Sequence, residues 1–129
     1  EKQLDTYTLE DEGELTGRLI AKFTFKNTEQ SVTSWVEMFM EVIQMLYTED
    51  KAVITKLAMS EERNIALYFH TNPDVFNQSR EIGDGIYVWT NTSTQSKLVV
   101  LRRLFQLYDE DPTGLVFYLH DENETKLLR

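Results

Sequence analysis

The sequence predicts an α+β domain, a mainly antiparallel sheet of four or five strands with two principal helices packed on one face. Two observations predict it. Residues 34–47 and 90–108 each join helix-capping side chains to apolar residues spaced by three and four, and around them lie short runs in which apolar and polar residues alternate. At 129 residues, 41% of them hydrophobic, the chain has enough apolar mass to bury one core.

Taken in order, residues 1–18 are polar and acidic with little apolar periodicity, and the chain opens on Glu1 instead of methionine. They read as a linker or N-terminal arm at the front of a piece cut from a longer chain. The domain proper is expected over 19–120. Residues 19–26 read as a strand, because Ala21, Phe23 and Phe25 alternate with Lys22, Thr24 and Lys26. Residues 27–30 are expected to turn the chain and 31–33 to return as a short strand.

Ser34, followed three residues later by Glu37, has the form of a capping box and precedes Trp35, Phe39, Val42 and Leu46, which predicts a helix over 35–47. Val53, Ile54 and Leu57 can share one face of a shorter helix over 51–58. Residues 65–70 read as a strand, ended by the turn chemistry of Asn72-Pro73-Asp74. Gly83-Asp84-Gly85 breaks the chain before a strand over 86–90 that carries β-formers throughout. The polar run Thr90-Asn91-Thr92-Ser93-Thr94 supplies caps for a helix over 95–108, with Leu98, Leu101, Leu104, Phe105 and Tyr108 on its apolar face. A turn over 109–114 leads to a last strand over 115–120, and residues 121–129 form a loosely held tail.

Composition narrows the setting. With no cysteine, disulfide frameworks and thiolate zinc sites are both excluded, which is compatible with a reducing cytoplasm. There is no apolar run of membrane-spanning length and no secretory leader, so a cytoplasmic chain without membrane contact is expected. The 22 acidic against 13 basic residues give a formal charge of −9, which opposes generic attraction to a phosphate backbone.

The main functional clue is a sheet face. If Phe23, Phe25, Leu67, Phe69, Ile86, Val88, Phe117 and Leu119 point toward the helices, the period of two puts Lys22, Thr24, Lys26, Tyr68, His70, Tyr87, Trp89, Tyr118 and His120 on the other side. Lys22, Tyr68, Tyr87, Trp89 and Tyr118 are the candidate binding residues. A solvent-facing sheet does not need this many rings. Three occupants suit it: the N-terminal arm or the rest of a longer protein as ordinary packing; single-stranded nucleic acid, stacking bases on the rings with phosphates on the lysines; or a protein partner, including a second copy of the chain.

A second candidate is the start of the helix near Gln95. Exposed backbone N–H groups, the hydroxyls of Ser93 and Thr94 and the ammonium of Lys97 could hold an anion or phosphate, with Arg102 and Arg103 extending the basic patch. The plain alternative is that Ser93 and Thr94 are only caps. An enzyme built on this site would take His70 or His120 as its acid or base.

Other chemistry is sought and not found. Two histidines and no cysteine are too few for a nucleophilic triad or a metal centre, so no catalytic residue, metal or cofactor is assigned. Pro73-Asp74 with Glu124-Thr125-Lys126 looks like the acidic and lysine residues of a restriction-type nuclease core, but the second element falls in the acidic tail, and the reading is set aside.

Three stretches, taken together, resemble a known domain: Tyr7-Thr8-Leu9-Glu10-Asp11, then Ser34-Trp35 opening a helix, then Ile86-Tyr87-Val88-Trp89-Thr90-Asn91-Thr92-Ser93 leading into a helix and on to a strand over 115–119. Their order is similar to that of an uncharacterised bacterial domain found at the C-terminal end of larger proteins, some of which look like restriction or mobile-element defence components. The resemblance implies an accessory domain beside a nuclease or nucleotide-hydrolysing domain, and it carries no active-site residue over. The expectation is therefore an interaction domain of a larger bacterial protein, contacting other domains, a protein partner or nucleic acid through its aromatic and basic sheet face.

Overall fold

The computed structural model describes residues 4–11, 13, 15–60 and 65–121. Seven strands and three helices make an α+β fold, but the strands form two antiparallel sheets where one was expected. The first has the order β1 (Asp5–Thr8), β7 (Val116–Leu119), β2 (Ile20–Phe25), β3 (Thr28–Ser31); the second has the order β4 (Phe69–His70), β6 (Ile86–Trp89), β5 (Ser79–Gly83).

Both local hairpins close through two-residue turns with left-handed backbone, Lys26 (φ 50°) and Asn27 (φ 62°) in one, Asp84 (φ 54°) and Gly85 (φ 76°) in the other. Such turns match the twist of the strands they join. A lysine is not a favoured left-handed residue, and Lys26 is held there by ion pairs from its ammonium to Glu49 (2.9 Å) and Glu110 (2.7 Å). The first return strand therefore begins at Thr28, earlier than the expected residue 31.

Helix α1 (Trp35–Glu49) starts where the capping box places it. Ser34 Oγ accepts from the Glu37 N–H (3.2 Å), and the Glu37 carboxylate reaches back to the Thr33 N–H (2.7 Å). Asp50 ends α1 and its carboxylate caps α2 (Lys51–Ala58) through the Ala52 N–H (3.0 Å). Helix α3 (Thr94–Leu107) is capped by Ser93.

Helix α1 touches α2, α3, β2 and β5, so it packs against both sheets. Its Met38, Phe39, Val42, Ile43 and Leu46 are fully buried in one cluster with Phe23, Phe117 and Leu119 of the first sheet, Phe69 and Val88 of the second, and Leu98, Leu101 and Leu104 of α3. Burying one such side chain is worth about 1.5–3 kcal/mol. The ring of Phe25 packs on Phe105 at 5.1 Å, and Trp35 meets Phe117 edge-on at 5.4 Å. The second hairpin is tied to α1 by the Tyr47 hydroxyl, which donates to Asp84 Oδ2 (2.6 Å).

Three expectations are corrected. Residues 65–68 form a single 3-10 turn (Ile65–Tyr68) before the short β4, and this turn sends Leu67 outward, 46% exposed, where an inward position was expected. Ser79–Gly83 is a strand that the sequence reading left unassigned. The acidic arm is part of the fold: Asp5–Thr8 pairs along β7, the Leu9 N–H donates to the Leu115 carbonyl (3.1 Å), and Leu9 and Leu15 are buried. Arg102 of α3 locks this arm by donating from Nε to the Leu9 carbonyl (2.8 Å) and from Nη2 to the Asp11 carbonyl (2.7 Å). Of the expected tail, residues 122–129, and Glu124-Thr125-Lys126 with them, lie outside the described residues.

If the arm is structural, Leu9→Ala lowers the unfolding free energy by about 2–5 kcal/mol in a urea titration, the range of a buried leucine truncation. A loss within about 0.5 kcal/mol, the range of an uninvolved surface change, would restore the arm to a linker.

Candidate functional site

The division into two sheets separates the expected face. Lys22, Thr24 and Tyr118 lie on the outer side of the first sheet, where cross-strand register lines up Thr6, Tyr118, Lys22 and Ser31 in one row. The Lys22 ammonium sits 4.8 Å from the centre of the Tyr118 ring and 3.3 Å from Glu29 Oε1, so its charge is already shared between a ring and a carboxylate. Lys26 leaves the face through the hairpin turn, and its hydrogen bonds to Glu110 and Glu49 raise its pKa. His120 follows β7; its N–H donates to the Leu19 carbonyl (2.9 Å) and its own carbonyl accepts from Arg18 Nη2 (2.8 Å).

His70, Tyr87 and Trp89 belong to the second sheet, and Tyr68 ends the 3-10 turn just before it. Tyr87 stands in register between His70 of β4 and Glu81 of β5. Trp89, at the end of β6, stacks with Tyr68 at 5.6 Å (30° between planes) and with Phe76 at 6.2 Å (7°). Its Nε1–H donates to Asn77 Oδ1 (2.9 Å), which fixes the indole in its plane. Stacked pairs of this kind add about 0.5–1.5 kcal/mol each beyond area burial.

The turn that brings Phe76 to Trp89 is built locally. The Asn72 N–H donates to His70 Nδ1 (2.9 Å), and Asn72 Oδ1 accepts from the Asp74 N–H (3.0 Å). Pro73 opens a single 3-10 turn, Pro73–Val75, and the Phe76 N–H closes it on the Pro73 carbonyl (3.1 Å). Beyond it the Thr90 N–H donates to the Gln78 carbonyl (3.1 Å), extending the β5–β6 pairing. Between this turn, Trp89 and the 3-10 turn at Ile65–Tyr68 lies an open cleft of about 370 Å³ lined by Leu67, Val75, Phe76, Asn77 and Trp89. Leu67 and Val75 are 46% and 52% exposed.

At the start of α3 the anion-binding expectation is corrected. Ser93 is a plain cap: its Oγ accepts from the Ser96 N–H (3.0 Å) and donates to Ser96 Oγ (3.0 Å), while Thr94 is the first helical residue. Lys97 points inward and is 5% exposed. Its ammonium donates to the carbonyls of Thr90 (3.1 Å) and Thr92 (2.6 Å) and to the Thr92 hydroxyl (3.1 Å). An ammonium has three donors, so none remains for an anion. The signal was present in the spacing, since 97, 101 and 104 form an i, i+4, i+7 series that places the lysine on the buried side of the helix. Arg102 is spent on the arm, and Arg103 donates to Gln106 Oε1 (3.0 Å).

No protein-family model, curated protein or solved structure matches this chain. Its chemistry is therefore read from its own side chains. Among the described residues no three His, Asp or Glu side chains converge to hold a metal, and no helix is long and apolar enough to cross a membrane. His70 ends β4 of the second sheet and His120 follows β7 of the first, while the Lys97 ammonium gives its three hydrogen bonds to Thr90 and Thr92. What the fold does assemble is the cleft beside Trp89. Of its five lining residues, Val75, Phe76 and Asn77 are not among the expected face and Leu67 is expected to point inward, because they sit in or beside 3-10 turns, where neither helix nor strand period applies.

Burial lowers the Lys97 pKa, whereas the carboxylates of Glu110 and Glu49 raise that of Lys26. As pH rises, an NMR titration of the lysine Cε and Nζ signals should therefore show Lys97 losing its proton before Lys26. Because its folded pKa lies below its unfolded one, the cost of burying this charge is present at neutral pH and is relieved toward the alkaline end. Inorganic phosphate should leave the amides of Ser93 and Thr94 and the Lys97 signals unmoved; a saturable phosphate shift there would reinstate the anion site.

Proposed function

We propose that this chain is a cytoplasmic interaction domain that takes a large apolar side chain of a protein partner into the cleft beside Trp89. The observation that carries this reading is the stacked set Tyr68, Trp89 and Phe76 opening onto exposed Leu67 and Val75. Single exposed apolar residues are ordinary on a protein surface, but several around one concavity favour contact. Tyrosine and tryptophan also suit interfaces, since their rigid rings offer area at low entropic cost. A volume of about 370 Å³ lies near the lower end of ligand sites, which run from roughly 300 to 1,000 Å³, so it suits one or two side chains.

The same geometry favours an apolar occupant over single-stranded nucleic acid. Base stacking needs cations beside the rings to meet phosphates, yet among the described residues no lysine or arginine lines the cleft, and Lys22 belongs to the other sheet. The chain's formal charge of −9 adds repulsion. A contact surface of this kind is what an accessory domain beside other domains requires, the setting that the motif resemblance implies.

Minimal probes test it. Titration with N-acetyl-leucinamide and N-acetyl-tryptophanamide, followed by amide, indole and methyl NMR, is expected to move the Trp89 indole and the methyls of Leu67 and Val75. N-acetyl-lysinamide and a thymidine oligonucleotide are expected to leave them in place. Val75→Ser, at an exposed position, should weaken the response without altering the fold. Salt-sensitive shifts at Lys22 and Tyr118 with the oligonucleotide, or no response of the cleft to either apolar probe, would overturn the proposal.

A further inference from the structure

Resting on that reading, we infer that the partner segment captured by the cleft carries lysine or arginine next to its apolar side chain. The charge of the rim supports this occupant. Asp74 lies between Pro73 and Val75 in the 3-10 turn that forms one wall, and it is exposed. Its backbone N–H is held by Asn72, but among the described residues its carboxylate has no ion-pair partner. Glu81 is no part of this rim: one of its oxygens accepts from the Gly85 N–H (3.1 Å), which holds it toward the turn end of the β5–β6 hairpin.

Elsewhere, four of the described cations are paired with acids of the chain itself. Arg18 pairs with Asp5, Lys22 with Glu29, Lys26 with Glu49 and Glu110, and Lys51 with Asp84. Arg80, the basic residue of β5, is in register with inward-facing Val88, so strand alternation keeps it off the face that carries Trp89. The cleft thus joins an apolar floor to the exposed Asp74 carboxylate, next in sequence to Val75, within a chain of charge −9. An apolar side chain flanked by lysine or arginine complements both features, and a basic segment is also steered toward an acidic domain at long range. A flanking glutamate would meet Asp74 as a like charge.

Four blocked pentapeptides test this with the full chain: Gly-Lys-Leu-Lys-Gly, the same peptide with glutamine or with glutamate replacing both lysines, and the lysine peptide with alanine replacing leucine. Titrations at low ionic strength are read at the Trp89 indole and the Leu67 and Val75 methyls. The expected order of affinity is lysine, then glutamine, then glutamate, with no cleft shift for the alanine peptide. Asp74→Asn is expected to weaken the lysine peptide about two- to five-fold, the range of an exposed ion pair, and to leave the glutamine peptide unchanged. Equal binding of the lysine, glutamine and glutamate peptides would overturn the inference while leaving the apolar cleft as a binding site. A lysine preference undiminished in Asp74→Asn would overturn it as well, because the charge would then be read elsewhere. Failure of all three leucine peptides to move the cleft would overturn both the inference and the reading beneath it.

Discussion

A buried ammonium with no carboxylate partner among the described residues, that of Lys97, sits at the joint between the second sheet and α3. Taking such a charge out of water costs on the order of several kcal/mol, and here only the carbonyls of Thr90 and Thr92, one hydroxyl and the face of Phe39, 5.8 Å away, offset it. The geometry must therefore be held closely. Removing the lysine leaves those acceptors without donors, at about 1–3 kcal/mol for each buried group. The consequence for function is positional: Thr90 directly follows Trp89, so the same three hydrogen bonds that settle the ammonium also fix where β6 ends and where the central ring of the cleft stands.

The wider fold makes that joint possible. Neither sheet buries its apolar face alone; both close over α1, whose side chains reach β2 on one side and β5 on the other. The first sheet is completed by the arm strand β1 and by the latch from Arg102 of α3 to the Leu9 and Asp11 carbonyls. Helix α3 thus holds the arm through Arg102 and the β6 end through Lys97, one basic residue serving each sheet. The outer face of the first sheet carries threonines and the internally paired Lys22, whereas the end of the second sheet opens a concavity.

How much of this is legible in the sequence follows from which forces act locally. Ser34 with Glu37 marks the start of α1, and the spacing of Leu98, Leu101 and Phe105 marks the inner side of α3, because capping and helical period are properties of neighbouring residues. Phe23, Phe25, Phe69, Val88, Phe117 and Leu119 are buried as strand alternation predicts. The partition into two sheets is not local: it depends on which strands pair, and alternating runs look alike in either arrangement. β1 hides in an acidic stretch, and β5 carries Ile82 as its one buried apolar residue. The expectation of an anion-binding Lys97 follows from the rarity of buried lysines, and the expected face around Trp89 lacks Val75 and Phe76 because these reach it from a turn.

Lys97 positions the Trp89 cleft from within, and the two indole N–H groups offer a direct test with its own control. Trp89 Nε1–H donates to Asn77 Oδ1 in the second sheet, while Trp35 Nε1–H donates to the Arg18 carbonyl (2.8 Å) beside the first. The measurement is indole hydrogen exchange in wild type and Lys97→Met under conditions where both remain folded. In Lys97→Met, Trp89 is expected to lose protection and its resonance to move, while Trp35 keeps both. Equal protection of Trp89 in the two proteins would contradict this, and the cleft would then owe its shape to the Pro73 turn alone.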